Sequence, residues 1–362
     1  MNCFITQTGS FLPGDPVGND DIEKYLGELK DEGEVKTSIL RMNGIVNRYY
    51  AQDSHQQPTY DVYQLACQAI ADCLAKSESL RAKVSLLCGG TTYAPLGGPG
   101  LCSILHAQLC EKNLLPQPVE ISSHSGICSS AAAGMVAAIR AVSAGEHDAA
   151  ICVGSEHPSS ALKAEAIHPI DDRSEHADLK RSQWFMSVFL RFMLSDGAGA
   201  FLLESQPKAE GVSFRVDWTH SRSFAHETPL CMRLEHQGVR LSQDITILSK
   251  YLMPMAKKFT TEAFAQHQED LAEYKAVLPH LSSFFFRRKT ERIMQQFSSS
   301  SEPVPYWTNL ATAGNTGSAS IFIMLDHYLR ENSVQDGDRL MLFIPESGQF
   351  NFVMVSLTAV VQ

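Results

Sequence analysis

The sequence predicts an α/β protein made of two copies of one unit, with mainly parallel sheets covered by helices on both faces. Two observations predict it. Apolar strand-like runs alternate with helical stretches along the chain, and four element types recur in the same order in the second half. A third feature singles out one place: Ser125-Gly126-Ile127-Cys128-Ser129-Ser130 is a small-residue turn that runs into Ala-rich, strongly helix-forming sequence.

In chain order, residues 3–13 read as a strand and a loop, and Asn19-Asp20-Asp21 as the acidic start of a helix ending near Leu29. Asn43-Gly44 marks a turn before a short strand-like run. Residues 60–80 carry helical periodicity, with Val62, Leu65, Ala66, Ile70 and Cys73 on one side. Residues 83–90 form a buried strand ending in glycines, 101–110 a helix, and 118–122 a strand leading into the Cys128 turn. Residues 148–157 are another apolar strand with a glycine exit. The stretch 158–182 is polar, and its His168, Asp171, Asp172, His176 and Asp178 match no metal-ligand spacing, so it reads as a solvated loop. An aromatic-rich run, 184–194, precedes the glycine-rich strand 195–204.

The second half repeats this order. Residues 275–280 match 83–90, 314–321 match the Cys128 turn and helix, 339–348 match 151–155, and 350–357 match 198–203. A join near 205–212 divides the chain into an N-terminal half, 1–208, and a C-terminal half, 209–362.

Composition narrows the function. The 362 residues are 44% hydrophobic and 19% charged, with a formal charge of −10, which argues against a nucleic-acid partner. Nine scattered cysteines without a CxxC pair indicate neither a zinc site nor a disulfide framework. The start of the chain lacks the pattern of a signal peptide, and the 184–194 run is broken by Arg191 and too short to span a bilayer. A cytoplasmic enzyme without a membrane span is expected. Gly97-Gly98-Pro99-Gly100 lacks the GK[ST] ending of a phosphate loop.

Three residues carry candidate chemistry. Cys128, just before a helix, sits where unpaired N–H groups and the helix dipole favour a thiolate; its other reading is an inert core cysteine. His280 ends a strand and alone could be a surface-loop histidine. Asn315 opens the second small-residue turn and alone could be a helix cap. Together, Cys128, Pro279-His280 and Asn309-Leu310 with Gly314-Asn315-Thr316-Gly317-Ser318 resemble the Cys-His-Asn set of ketoacyl synthase III enzymes in the thiolase superfamily. Gly9-Ser10-Phe11-Leu12-Pro13, residues 43–48, Ser195-Asp196-Gly197-Ala198-Gly199-Ala200 and Glu346-Ser347-Gly348-Gln349-Phe350 agree with it. The segment 278–287 departs from the PHQAN pattern of fatty-acid-priming enzymes. With residues 40–45 and 189–194, it is more similar to the ketosynthases of dialkylresorcinol and cyclohexanedione biosynthesis.

The resemblance implies a thiolase-like duplicated αβαβα five-layer fold, a homodimer, and a β-ketoacyl synthase that joins two acyl thioesters by Claisen condensation. It makes Cys128 the acylated nucleophile, and His280 and Asn315 the donors to an enolate. The backbone N–H groups of Cys128 and Gly348 would form the oxyanion hole. No bound cofactor is implied; the substrates are thioesters of coenzyme A or acyl carrier protein. Arg287 and Arg288, with Lys289 and Arg292, would form a carrier-docking patch or a solvated helix face. Phe189 and Phe192, with Trp184 and Phe185, would line an acyl pocket, a dimer interface or the core. The alternatives are the fatty-acid-priming reaction and, from another class, a catalytically silent partner subunit.

Overall fold

A computed structural model describes residues 2–30, 33–75, 78–170, 172–175, 178–235 and 240–362. Asp171 and His176, weighed above as metal ligands, lie outside these residues. Among the described residues no group of three or more His, Cys, Asp or Glu could hold a metal ion. No described helix is long and apolar enough to cross a membrane.

Among the described residues, nine strands form one sheet: β1 (Phe4–Phe11), β2 (Val84–Thr91), β3 (Glu120–Ser125), β4 (Ala149–Glu156), β5 (Gly197–Glu204), β6 (Val212–Ser223), β7 (Ala276–Pro279), β8 (Arg339–Pro345) and β9 (Asn351–Val361). Their order is β7-β8-β9-β6-β1-β5-β4-β2-β3. The helices that matter here are α1 (Val62–Leu74), α2 (Leu101–Glu111), α3 (Ser130–Ala144), α4 (Gln183–Arg191), α5 (Ile245–His267), α6 (Arg287–Gln295) and α7 (Ser320–Glu331). Local chemistry sets several of their ends. Asp61 and Gln64 close a capping box at the start of α1, and Gly145, with φ 80°, supplies the left-handed residue that ends α3.

The sheet is mixed, which corrects the expectation of mainly parallel pairing. Only β7–β8, β4–β2 and β2–β3 run parallel. The reason is connection length: residues 346–350 between β8 and β9 are far too few for a crossover, so β9 returns antiparallel. In the first half the chain from β4 to β5 builds a cap instead of a crossover helix, with the same antiparallel result.

Outward from the centre, β1-β5-β4-β2 and β6-β9-β8-β7 repeat the same senses: antiparallel, antiparallel, parallel. The counterpart of β3 has shrunk to one parallel bridge, Val277 to Tyr306. The two series meet where β1 pairs with β6 at Phe4 and Ile5.

Side-chain alternation stacks the layers. On β4, Ala150 and Cys152 join a core with α3 and α7, while Ile151 and Val153 pack with α1 and α2. On β8, Leu340, Leu342 and Ile344 reach the same α3–α7 core, while Met341 and Phe343 pack with α5. The result is five layers, α-β-α-β-α. A separate cluster including Ile22, Ile39, Trp184, Val188 and Phe192 forms the cap. The cap holds a helix at Gly33–Asn43 that the sequence reading passed over. Arg191, which interrupts the aromatic run, is wholly buried there and donates through Nη1 to the carbonyls of Leu26 (3.0 Å) and Leu162 (2.7 Å).

Close approach to the sheet puts the start of α3 in place. A Cβ on Gly90 would lie 2.4 Å from the Ala131 nitrogen and 2.5 Å from its Cα, backbone atoms that cannot swing aside. Gly90→Ala is therefore expected to cost about 1–3 kcal/mol or more through overpacking. A denaturant midpoint equal to that of the unaltered chain would contradict this.

Candidate active site

Cys128 lies in the turn between β3 and α3, one residue before the N-cap Ser129. It is 9% exposed. The expected lowering of its pKa by the helix start is not found: burial pushes the thiol well up, and the carboxylates of Glu346 and Glu156 push it further. Two nearby negative charges and the loss of water outweigh a partial positive dipole.

His280 follows β7, and its backbone N–H donates to the Phe343 carbonyl at 2.8 Å, fixing it beside β8. Its side chain is buried with neither ring nitrogen hydrogen-bonded. Burial lowers its pKa from 6.5 to about 4, so the ring is neutral near pH 7, with one N–H to donate. An unpaired buried polar group is costly, and the ring is left with its hydrogen-bonding capacity unused.

A histidine with a depressed folded pKa adds stability above its unfolded pKa, and that stability is lost as pH falls. The loss runs from pH 6.5 through about 4 and amounts to roughly 3 kcal/mol. Glu156, raised from 4.5 to about 7 by burial, has the opposite sign: its contribution is full below pH 4.5 and lost as pH rises through 7. In denaturant titrations across this range, His280→Asn is expected to flatten the acid limb. An acid limb of unchanged steepness would contradict the assignment.

Asn315 is held by backbone bonds on both sides, donating to Met193 O (3.1 Å) and accepting from Ser195 N (2.9 Å). Its Oδ1 accepts the Gly317 N–H at 3.0 Å, which leaves the amide nitrogen as the half free to donate. The motif around Ser195 and the Asn315 turn are thus parts of one anchor.

The three residues converge on connected cavities. Cys128 and Asn315 line one, with Glu156, Phe189, Met193 and Leu248. Cys128 and His280 line a second, with Leu252, Phe286 and Thr290. Cys128, Ser282, Phe286 and Ser347 belong to both, so the cavities meet at the cysteine. Beyond His280 a third, apolar cavity runs between α5, α6 and β8, along Ala256, Phe264, Ile293, Met294 and Phe343. Gly348 packs beside the cysteine turn: a Cβ there would lie 2.9 Å from Ile127 Cγ1. Phe189 stands on the cavity wall, whereas Phe192, wholly buried, packs in the cap core. Arg287 and Arg288 lie on the exposed face of α6, where Arg287 pairs with Glu291 at 2.9 Å.

Sequence reasoning missed two carboxylates. Ser318, at the turn before α7, donates its N–H (3.2 Å) and hydroxyl (2.5 Å) to Glu156 at the end of β4. Ser129, at the start of α3, donates the same two groups to Glu346, just past the end of β8. Each central helix start is clamped by a strand end of the other series. The available signal was an acidic residue at the carboxyl end of a largely apolar strand, where α/β sheets place ligands.

Comparisons with known proteins find matches along both halves of the chain. Residues 122–209 match the model for the β-ketoacyl synthase N-terminal domain, and residues 264–345 the model for the 3-oxoacyl-[acyl-carrier-protein] synthase III C-terminal domain. The β-ketoacyl-[acyl-carrier-protein] synthase III of Desulfotalea psychrophila is 23% identical over 350 residues, covering 94% of this chain and 95% of that protein. Among solved structures, a tetronic acid condensing enzyme, AbyA1, superposes with a TM-score of 0.78 at 15% identity, over 99% of this chain and 100% of that one. Xanthomonas campestris OleA, crystallised as a C143S variant with lauric acid and lauroyl-CoA, superposes at 0.76 with 21% identity, over 99% of each chain. The fold is that of the thiolase superfamily. The chain is an enzyme, an acyltransferase similar to the ketoacyl synthase III condensing enzymes.

Proposed function

We propose that this enzyme joins two acyl chains by Claisen condensation, in the manner of dialkylresorcinol and cyclohexanedione biosynthesis. Cys128 accepts the first acyl group from a coenzyme A or acyl-carrier-protein thioester. His280 and Asn315 donate hydrogen bonds to the enolate oxygen of the second substrate, and the N–H groups of Cys128 and Gly348 hold the oxyanion as the new bond forms. The observation that carries this reading is the convergence of Cys128, His280 and Asn315 on cavities that meet at the thiol, with both ring nitrogens of His280 unpaired.

Two apolar arms support the joining of two chains. One runs past Phe189, Met193 and Leu248, the other past Ala256, Ile293 and Met294. The exposed Arg287 and Arg288 share α6 with Thr290, a cavity residue, which supports docking of an acidic carrier at that mouth. Residues 1–208 and 209–362 are taken as the two halves of the duplication. The outer edge of β3, with Ile121 42% exposed, suits a second copy of the chain in a homodimer.

A second reading is the fatty-acid-priming reaction, favoured by the names of the curated relatives. Product analysis of the purified chain with medium-chain acyl thioesters separates the two. A cyclised diketone supports the two-chain reaction. A β-ketoacyl carrier protein as sole product would overturn it in favour of priming.

A further inference from the structure

Glu156 has a place at this site that the clamp alone does not explain. It is 4% exposed, and a single oxygen, Oε1, takes all four of its hydrogen bonds: Thr92 N (3.0 Å), Thr92 Oγ1 (2.8 Å), Ser318 N (3.2 Å) and Ser318 Oγ (2.5 Å). Its other oxygen, Oε2, takes none of these bonds, and Glu156 lines the cavity that it shares with Cys128 and Asn315. Glu346 makes the matching clamp from the other series but lines neither cavity at the cysteine. A purely structural clamp would be satisfied by the arrangement at Glu346. At Glu156 the same device stands in the wall of the cavity that holds the reacting thiol, near enough for its charge to act on that thiol.

The chemistry of the second substrate gives that oxygen a task. A carboxylated thioester makes its enolate by losing carbon dioxide and needs no base. A β-ketoacyl thioester must instead lose a proton from C2, the carbon between its two carbonyls. Neutral His280 and the Asn315 amide can stabilise the enolate. They are poorly suited to take that proton, because burial holds the histidine pKa near 4.

We propose that Glu156 is a catalytic proton carrier that removes the C2 proton of a β-ketoacyl thioester, a step that rests on the condensing function proposed above. The proton passes to Glu156, and the C–H electron pair becomes the enolate. C2 then attacks the carbonyl carbon of the acyl group on Cys128, a C–C bond forms, and the C–S bond to Cys128 breaks. The departing thiolate takes the proton back from Glu156, returning thiol and carboxylate to their starting states. Atoms and electrons balance without an oxidant or a second base. A carboxyl held near pH 7 suits a group that must both take and return a proton, since general acid–base catalysis is best when the group's pKa lies near the working pH.

Glu156→Gln keeps the size of the side chain and an oxygen to accept the four donors, and Glu346→Gln reports the cost of altering a matched clamp. Each variant and the unaltered enzyme are given an acyl thioester and then either a β-ketoacyl or a malonyl thioester, with Cys128 acylation read by intact mass. Glu156→Gln is expected to slow the β-ketoacyl reaction roughly 100- to 10,000-fold, and the malonyl reaction by less than about tenfold. Equal loss with both second substrates, or a loss no greater than that of Glu346→Gln, would overturn the proposal. So would an unaltered enzyme that condenses only the malonyl thioester. If the unaltered enzyme never acylates Cys128, the condensing function itself falls; if it acylates normally and Glu156→Gln behaves like it, only the role of Glu156 falls.

Discussion

An alanine in place of Cys128 is expected to leave no condensation product above the rate without enzyme. The substitution removes one buried sulfur and keeps the turn, the start of α3 and the backbone N–H at position 128. Its stability cost is small compared with its chemical cost, because a covalent route splits one difficult step into two easier ones. Near-normal circular dichroism and denaturant midpoint should accompany the loss. Product formation within about tenfold of the unaltered enzyme would mean that the second substrate attacks the first thioester directly, without an acyl-cysteine.

The second large effect is expected at the enolate donors. His280→Ala and Asn315→Ala should each slow condensation about 100- to 1,000-fold, the usual cost of losing one preorganised donor to a developing oxyanion. Acylation of Cys128 should survive in both, since the His280 ring makes no hydrogen bond in the resting site and the Asn315 side chain bonds only its own turn. Single-turnover mass spectrometry separates the two half-reactions. Equal loss of acylation and condensation would place these residues in the first step and contradict the assignment.

Much of the architecture was legible in the sequence because it is local. Cys128 stands at the junction of a turn and an Ala-rich helix former, and the glycines of β2 and the exit of β4 announce buried strand ends. Of the four matched stretches, the three that are strands, 83–90 with 275–280 among them, occupy equivalent positions in the two strand series. The direction of the strands was not legible. Alternation of strand and helix says nothing of β9, which turns back over five residues, or of the long cap between β4 and β5. The helix Gly33–Asn43 was missed because Lys36, Thr37, Ser38 and Arg41 dilute its apolar side, and Ile39 is buried only by contact with the rest of the cap.

The site divided along the same line. Cys128 was singled out by its place before an Ala-rich helix, and His280 and Asn315 by the motif resemblance that joins them to it. Their electrostatics depend on partners far away in sequence. The Glu346 carboxylate beside Ser129 comes from 217 positions downstream, and Ser318 reaches Glu156 across 162. A local argument from the helix dipole therefore had the wrong sign for the thiol.

The central claim is that Cys128 carries the first acyl chain. Its most direct test is intact-mass and peptide mass spectrometry after incubation with a medium-chain acyl thioester alone. The predicted result is one acyl group per chain, on the peptide that contains Cys128, and none on Cys128→Ala. The absence of an adduct with any acyl thioester, or an adduct that persists when Cys128 is alanine, would contradict the account.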